Sequence, residues 1–265
     1  LKVPPTFAIR WLAPRLARTI APPDDQACVS VDFFARYPIR EVLGAPMADH
    51  GKVPGTPLKG SYTVVFENGN RLPIESRGEL RLEPDGHGRP RIVGRFGLND
   101  YVARVVQREG DASQPEAARA LAVVARTYLV QQAGRERGCY RIADSSRTQR
   151  VLPRPPGQAA RRAADFTDDL VLVGAPVQFH LDQAAPNQMS WLAAKKAAQG
   201  GATFATILAA TWPKATLSSF ASGLAGDCEP VAGAQDWLRR EAPIWARELA
   251  GQAGYETPPL PAVCE

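Results

Sequence analysis

The sequence lacks long apolar runs and lacks any spaced cluster of metal ligands. No stretch approaches the roughly 18 consecutive apolar residues that a membrane-spanning helix needs, so we expect no transmembrane segment in this chain. The four cysteines, at 28, 139, 228 and 264, form no CxxC motif and share no zinc-site spacing with the three histidines. The pattern therefore argues against a structural zinc site and implies no cofactor.

Four isolated cysteines are better explained by two disulfides. Cys228 and Cys264 are the closest pair in sequence, and a bond between them would hold a proline-rich C-terminal tail. Cys28 would then pair with Cys139. Disulfides are typical of proteins outside the cytoplasm. The alternative is that all four are unpaired, buried thiols.

The charge and composition of the chain exclude few classes of protein. The 265 residues are 45% hydrophobic and 22% charged, which is enough for one large core or two modest ones. The net charge of +5 includes no long basic run, so an ordinary surface explains it best. We expect no nucleic-acid partner. The chain begins at Leu1 without Met or a signal-peptide pattern, and we expect that a leader or a larger N-terminal portion has been removed.

Residues 98–130 are predicted to form two helices joined by a polar turn. Asn99 is a candidate cap for the first helix, and valines recur along one face at helical spacing. Glu109 is the next position on that apolar face, directly before Gly110. A partly desolvated carboxylate has a raised pKa, as a general acid requires near neutral pH.

The second predicted helix begins with Ser113 and Glu116, which have the spacing of a capping box. Glu116 is therefore expected to stabilise the helix, and neither Asp111 nor Glu116 lies on the face of Glu109. The many alanines that follow indicate a central, well-covered helix. Arg126 lies near the edge of its apolar face, within reach of a buried carboxylate or an anionic ligand.

Two blocks of the sequence resemble the stage II sporulation protein D (SpoIID), or amidase-enhancer, family. In that family a Leu-x-x-Tyr-Val helix leads to a Glu and then to an alanine-rich block ending in Ala-Arg-Thr-Tyr. Here Leu98, Tyr101 and Val102 precede Glu109, and residues 115–128 read PEAARALAVVARTY. Residues 187–217 resemble the closing block of the family. Residues 144–151 resemble its Asp-x-x-x-x-Gln-x-Tyr segment, without the His and Cys that bind metal in some members.

The resemblance implies binding of peptidoglycan glycan strands in the bacterial envelope, in a periplasmic or secreted protein. It assigns the catalytic acid to Glu109 and suggests Tyr101, Arg126, His180 and Gln188 as groove residues. It implies no metal site, because the metal-binding His and Cys are absent.

Two functions stay open at this point. The first is a lytic transglycosylase-like enzyme with Glu109 as its single general acid and base. The second is a catalytically inactive relative that binds glycan or an envelope protein partner. The missing His and Cys favour the second, as do residues 185–188, which replace the His-Gly-x-Gly of the family, whereas the retained Glu109 favours the first. The overall pattern also resembles predicted secreted proteins associated with bacterial alpha-2-macroglobulins.

The expected fold is α+β, a SpoIID-like mixed unit with a groove. Strands between residues 28 and 96 and a hairpin over residues 170–180 are expected to pack around the alanine-rich helix. Residues 39–43 are predicted to form a short helical turn. We expect an N-terminal arm over 1–27, the SpoIID-like domain over 28–226, and a C-terminal helical extension over 227–265 with an amphipathic helix at 234–249.

Overall fold

The computed structural model describes residues 28–44, 55–136, 138–178, 186–219, 228–230 and 262–264. The expected N-terminal arm, the C-terminal helix at 234–249 and His180 lie outside these ranges. The division into three parts therefore stays a prediction. The α+β class is confirmed, because the described residues combine five helices with a mixed seven-stranded sheet.

The large sheet contains the first seven strands of the described residues. They are β1 (Cys28–Phe33), β2 (Ile39–Leu43), β3 (Thr56–Phe66), β4 (Arg71–Pro84), β5 (Pro90–Gly97), β6 (Gly134–Glu136) and β7 (Cys139–Ala143). Their order is β2-β3-β4-β5-β1-β7-β6. Neighbours are antiparallel except β1 and β7, which run parallel. The sheet thus contains a meander of consecutive strands, β2 to β5. Strand β1 connects this meander to β7 and β6, which follow the two helices of residues 98–132 in the sequence.

Turn chemistry explains the two long hairpins of the meander. Gly69 has a φ of 84° between β3 and β4, a conformation that glycine adopts without a steric cost. Between β4 and β5, the Asp85 carboxylate accepts the backbone N–H groups of His87 and Arg89. The predicted helical turn at 39–43 is wrong. This segment is strand β2, because its backbone pairs with β3 and buries Ile39.

Five helices cover the sheet and each other: α1 (Leu98–Glu109), α2 (Pro115–Gln132), α3 (Gln158–Phe166), α4 (Trp191–Gln199) and α5 (Phe204–Thr211). Every residue of helix α2 from Ala117 to Leu129 is buried except Arg119, and the helix contacts the other four helices. Its alanines allow this close approach from several directions. The central position predicted for the alanine-rich helix is confirmed.

The hairpin predicted over residues 170–180 is wrong for its described part, residues 170–178. Strand β8 (Leu170–Val173) pairs instead with β9 (Thr216–Ser219), which follows α5 in the sequence. Local apolar spacing predicted the strand correctly but not its partner, because strand pairing over long sequence distances depends on tertiary packing. The β8–β9 pair lies against α2 through β8.

Both predicted helix caps are wrong. Helix α1 follows Gly97, and Asn99 lies in the first turn, where it donates to Asp168 Oδ1 at 2.7 Å. The capping box at α2 does not form, since the Ser113 hydroxyl donates to Asp111. Glu116 instead accepts the backbone N–H of Phe204 at 2.8 Å and thereby stabilises the start of α5.

Cys28 and Cys139 form a disulfide, as predicted. It connects the first residues of the parallel strands β1 and β7. In the small sheet of β10 (Cys228–Pro230) and β11 (Ala262–Cys264), the backbones of Cys228 and Cys264 lie opposite one another. This backbone pairing is compatible with a second disulfide, which stays a prediction.

Candidate functional site

Glu109 is the last residue of α1, and its side chain is partly buried. Its Oε1 accepts the backbone N–H of Arg150 at 2.8 Å. The next residue must be small, because a Cβ at Gly110 would lie 2.7 Å from Leu121 Cδ2 on α2. The missing side chain lets the end of α1 press against α2, and this contact fixes where the Glu109 carboxyl emerges.

Burial raises the pKa of the Glu109 carboxyl. The Arg150 N–H and the positive charges of Arg150 and Arg108 act in the opposite direction, and the charge of Asp144 adds to the increase. The net direction is upward, because desolvation of the carboxylate is the largest of these effects. Periodicity along α1 predicted this partial burial correctly.

Asp144 is a second carboxylate near Glu109 that was not among the predicted site residues. It directly follows β7, and its Oδ1 accepts the backbone N–H of Val151 at 2.9 Å. Burial raises the pKa of Asp144. Hydrogen bonds from the backbone N–H groups of Val151 and Phe34 lower it, as do the charges of Arg108 and Arg150, but burial is the largest effect. The signal was present in the sequence, since Asp144 begins the Asp-x-x-x-x-Gln segment of residues 144–151.

Tyr101 is close enough to Glu109 and Asp144 to be affected by their charges, but it is fully buried. Its hydroxyl donates to Gln149 Oε1, and Gln149 Nε2 donates to the carbonyl of Ala125 at 3.2 Å. Burial raises the pKa of Tyr101 well above its usual range. This tyrosine thus connects α1 to residues 144–151 from inside the core, without a surface for a polymer.

Arg126 is fully buried, and its guanidinium holds the end of α3 and the start of β8. Nη1 donates to the carbonyls of Thr167 at 2.7 Å and Leu170 at 3.0 Å. Nη2 donates to Asn99 Oδ1 at 2.9 Å and to the carbonyl of Ala164 at 3.2 Å. Burial lowers the pKa of Arg126 to about 10, although the negative charges of nearby aspartates act in the opposite direction. The structure therefore gives this arginine structural contacts and no exposure to solvent.

The other two expected groove residues are not brought together with Glu109 by any described contact. His180 lies outside the described residues. Gln188 precedes α4 and is partly buried, with an Oε1 that accepts no hydrogen bond from the described part of the chain. Among the described members of the predicted set, Glu109 and Tyr101 are neighbours.

Neither a metal cluster nor a membrane helix is found among the described ranges. No three His, Cys, Asp or Glu side chains there are grouped so as to hold a metal ion. No helix in the same ranges combines the length and apolarity that crossing a membrane requires.

Two family models match the chain. Residues 87–173 match the stage II sporulation protein family, SpoIID, and this range contains α1, α2, Glu109 and Asp144. We refer to residues 87–173 as the SpoIID segment. Residues 187–265 match a family described as predicted secreted protein (DUF2300). The SpoIID match indicates a role related to the cell wall, and the second match together with the disulfide places the protein outside the cytoplasm.

A curated relative extends beyond the SpoIID segment. The uncharacterized protein YfaQ of Escherichia coli (strain K12) is 38% identical over 237 residues, which cover 89% of this chain and 42% of the relative. The chain thus spans less than half the length of this relative. No solved structure matches the chain.

Proposed function

We propose that the protein binds peptidoglycan glycan strands and cleaves them with Glu109 as the general acid. The observation that carries this proposal is the Glu109 carboxyl itself. It is partly buried at the end of α1, its pKa is raised by desolvation, and it lies within the SpoIID segment. A carboxyl with a raised pKa keeps its proton closer to neutral pH, which general-acid catalysis requires.

A single acid of this kind is sufficient for a lytic reaction. Protonated Glu109 gives its proton to the glycosidic oxygen, and the bond from that oxygen to the anomeric carbon breaks. The carboxylate then takes a proton from a hydroxyl of the same sugar, whose oxygen bonds to the anomeric carbon. The products are a free sugar end and an intramolecular anhydro end, and Glu109 is protonated again. No water is consumed.

The nearby carboxylates Asp111 and Glu116 fit this role less well. Asp111 is exposed, and hydrogen bonds from Ser113 lower its pKa. Glu116 accepts hydrogen bonds from Arg119 and from the Phe204 N–H, which occupy both of its oxygens. The first environment favours the ionised form of Asp111, which has no proton to donate, and the second engages both Glu116 oxygens in structural contacts.

The second candidate function is glycan binding without cleavage. It is favoured by the burial of Tyr101 and Arg126, because two residues expected to line the groove have structural contacts instead. In this case the protein would be a binding or interaction module of an envelope assembly. The sequence pattern suggests one that is associated with an alpha-2-macroglobulin.

The test compares the parent with Glu109→Gln and with the matched control Glu116→Gln. Each protein is incubated with peptide-free and peptide-bearing glycan strands, and mass spectrometry identifies the released sugars. Loss of a general acid should lower the rate roughly 10²-fold to 10⁴-fold in Glu109→Gln, with strand binding retained. Glu116→Gln should keep the parent's rate.

Anhydro-ended fragments from the parent and the control, with none from Glu109→Gln, would support cleavage. Strand binding without any fragments from the parent would support the binding module. Equal turnover by the parent and Glu109→Gln would reject Glu109 as the acid.

A further inference from the structure

Four exposed arginines lie around Glu109, and we call them the arginine rim: Arg36, Arg108, Arg147 and Arg150. Arg108 directly precedes Glu109 in α1, and the backbone N–H of Arg150 donates to Glu109 Oε1 at 2.8 Å. The positive charges of Arg108 and Arg150 both lower the pKa of Glu109. Both guanidinium groups thus lie near the carboxyl that the proposed reaction uses.

The other two arginines of the rim lie at a turn of the chain that leads directly into Arg150. Arg147 belongs to this turn, and its side chain is exposed. Arg36 lies in the loop after β1, and its Nη1 donates to the hydroxyl of Ser146 in the same turn at 2.9 Å. Residues from two separate parts of the sequence therefore bring positive charge to the same side of Glu109.

Hydrogen bonds fix the backbone that carries the rim. The Ser145 N–H donates to the carbonyl of Gln149 at 3.2 Å, which closes the turn before Arg150. After Arg150, Nη1 of the buried Arg104 donates to the three carbonyls of residues 152–154 at 2.9–3.1 Å. Because the backbone is already ordered, a ligand that binds the exposed side chains has less conformational entropy to remove.

The charge of the rim is not balanced by ion pairs. In the part of the chain that the structure describes, no carboxylate forms an ion pair with a rim arginine. The nearby carboxyls of Glu109 and Asp144 accept the backbone N–H groups of Arg150 and Val151 instead. Burial raises the pKa of both carboxyls, which favours their neutral forms. Like charges that are grouped in this way attract an anionic ligand.

We propose that the arginine rim binds carboxylates of an anionic glycan strand and thereby selects the strands that reach Glu109. The inference rests on the proposed function, because it names the charged groups that the same site recognises. A guanidinium group suits this role, since its N–H donors can bind both oxygens of a carboxylate. Peptidoglycan strands offer carboxylates from two sources. One is the lactyl group of a muramic acid without peptide, and the other is an attached peptide.

The test measures strand binding in proteins that all carry Glu109→Gln. This substitution removes the proposed acid, so the strand stays intact during the measurement. The rim variant adds Arg108→Gln and Arg150→Gln. Their guanidinium groups form no hydrogen bond with any described residue, so we expect the rim variant to fold as the parent does.

The control variant removes the same number of charges elsewhere, through Arg95→Gln and Arg141→Gln. Both arginines are exposed, and each lies directly opposite Ser30 in the large sheet. Residues that lie opposite one another in neighbouring strands share a face of the sheet. This face is the reverse of the one on which Val29 and Val31 are buried in the core.

Four fluorescently labelled probes distinguish the two sources of carboxylate. They are peptide-free strands, peptide-bearing strands, and each of these after a carbodiimide has coupled its carboxyl groups to methylamine. Coupling removes the negative charges and keeps the sugars. Fluorescence anisotropy gives the Kd of each probe at about 0.05 M salt and again at about 0.5 M salt, where exposed charges are strongly screened.

At low salt we expect the rim variant to bind at least one untreated probe roughly tenfold more weakly, because each exposed ion pair contributes up to about fivefold. The rim variant should bind the methylamide form of that probe with unchanged affinity. The control variant should bind every probe as the common background does. A loss with peptide-free strands would assign the lactyl carboxylate as the ligand, and a loss with peptide-bearing strands alone would assign the peptide carboxylates. High salt should reduce either loss.

Equal affinity of the background protein for both strands before and after coupling to methylamine would overturn the proposal, whatever the folding of the variants. Equal losses in the rim and control variants would also overturn it, because they would reflect total charge rather than the rim. In both cases strand binding itself would persist, and the proposed function would stand. If none of the probes binds at all, the proposed function fails together with this inference.

Discussion

Arg126 offers the sharpest test of the distinction between a groove residue and a structural residue. Arg126→Met keeps the length of the side chain but removes all four hydrogen bonds to Ala164, Thr167, Leu170 and Asn99. Three of these acceptors are backbone carbonyls of fully or almost fully buried residues. An unsatisfied buried acceptor costs about 1–3 kcal/mol. Desolvation of the guanidinium offsets part of this cost, so we expect a net loss of about 3–5 kcal/mol in the free energy of unfolding.

Urea unfolding, followed by circular dichroism at pH 7, measures this loss. With an m-value of about 2 kcal/mol per molar urea, the midpoint should fall by roughly 2 M at unchanged m. The control is Arg154→Met, because Arg154 is exposed and its replacement should change stability by less than about 0.5 kcal/mol. A loss below about 1 kcal/mol in Arg126→Met would refute the structural role. Full stability combined with loss of glycan-strand binding would instead show that Arg126 contacts the ligand.

Three further predictions use the same measurements or simple variants. Because the pKa of Glu109 is raised in the folded protein, the folded state binds more protons, and stability falls as pH rises through the raised pKa. Glu109→Gln should therefore be more stable than the parent at pH 7, by about 1.4 kcal/mol for each unit by which folding raises the pKa of Glu109. Below about pH 4 the two proteins should be equally stable. Equal stability at both pH values would contradict this prediction. Glu116→Gln should lower stability by about 1 kcal/mol through the start of α5, and thus lower Tm by roughly 2–4 °C; an unchanged Tm would exclude this contact. Unreduced protein exported to the periplasm should contain no thiol that can be alkylated. Two alkylated thiols that map to Cys228 and Cys264 would exclude the bond between them, and four alkylated thiols would exclude both bonds.

Sequence periodicity predicted the features of the fold that depend on neighbours along the chain. The repeat of valines in α1 placed Glu109 on the apolar face, and burial raises its pKa as expected. The alanines of α2 indicated a helix that other elements approach closely, and this helix is buried from Ala117 to Leu129 except at Arg119. Both inferences succeed because helical spacing determines which side chains share a face.

Partners that are distant in the sequence were not predictable in the same way. The caps assigned to Asn99 and Glu116 were wrong because each side chain binds a group 69 or 88 residues away. The partner of β8 is a strand that begins more than 40 residues later. The Asp-x-x-x-x-Gln segment could have drawn attention to Asp144, but its proximity to Glu109 arises only when β7 and α1 pack together. Local patterns carry no information on such tertiary contacts.

The Cys28–Cys139 disulfide closes a covalent ring of polypeptide that contains most of the sheet. The bond spans 111 residues, and the ring contains β2 to β6, both central helices and Glu109, whereas α3, α4 and α5 lie outside it. Closing a loop of this size in the unfolded chain is worth about 4–5 kcal/mol in the chain-entropy model. A protease that cuts once between β2 and β3 would leave both fragments joined, so the chain would separate only after reduction. The oxidised protein should therefore tolerate a single cleavage in this ring that would divide its reduced form.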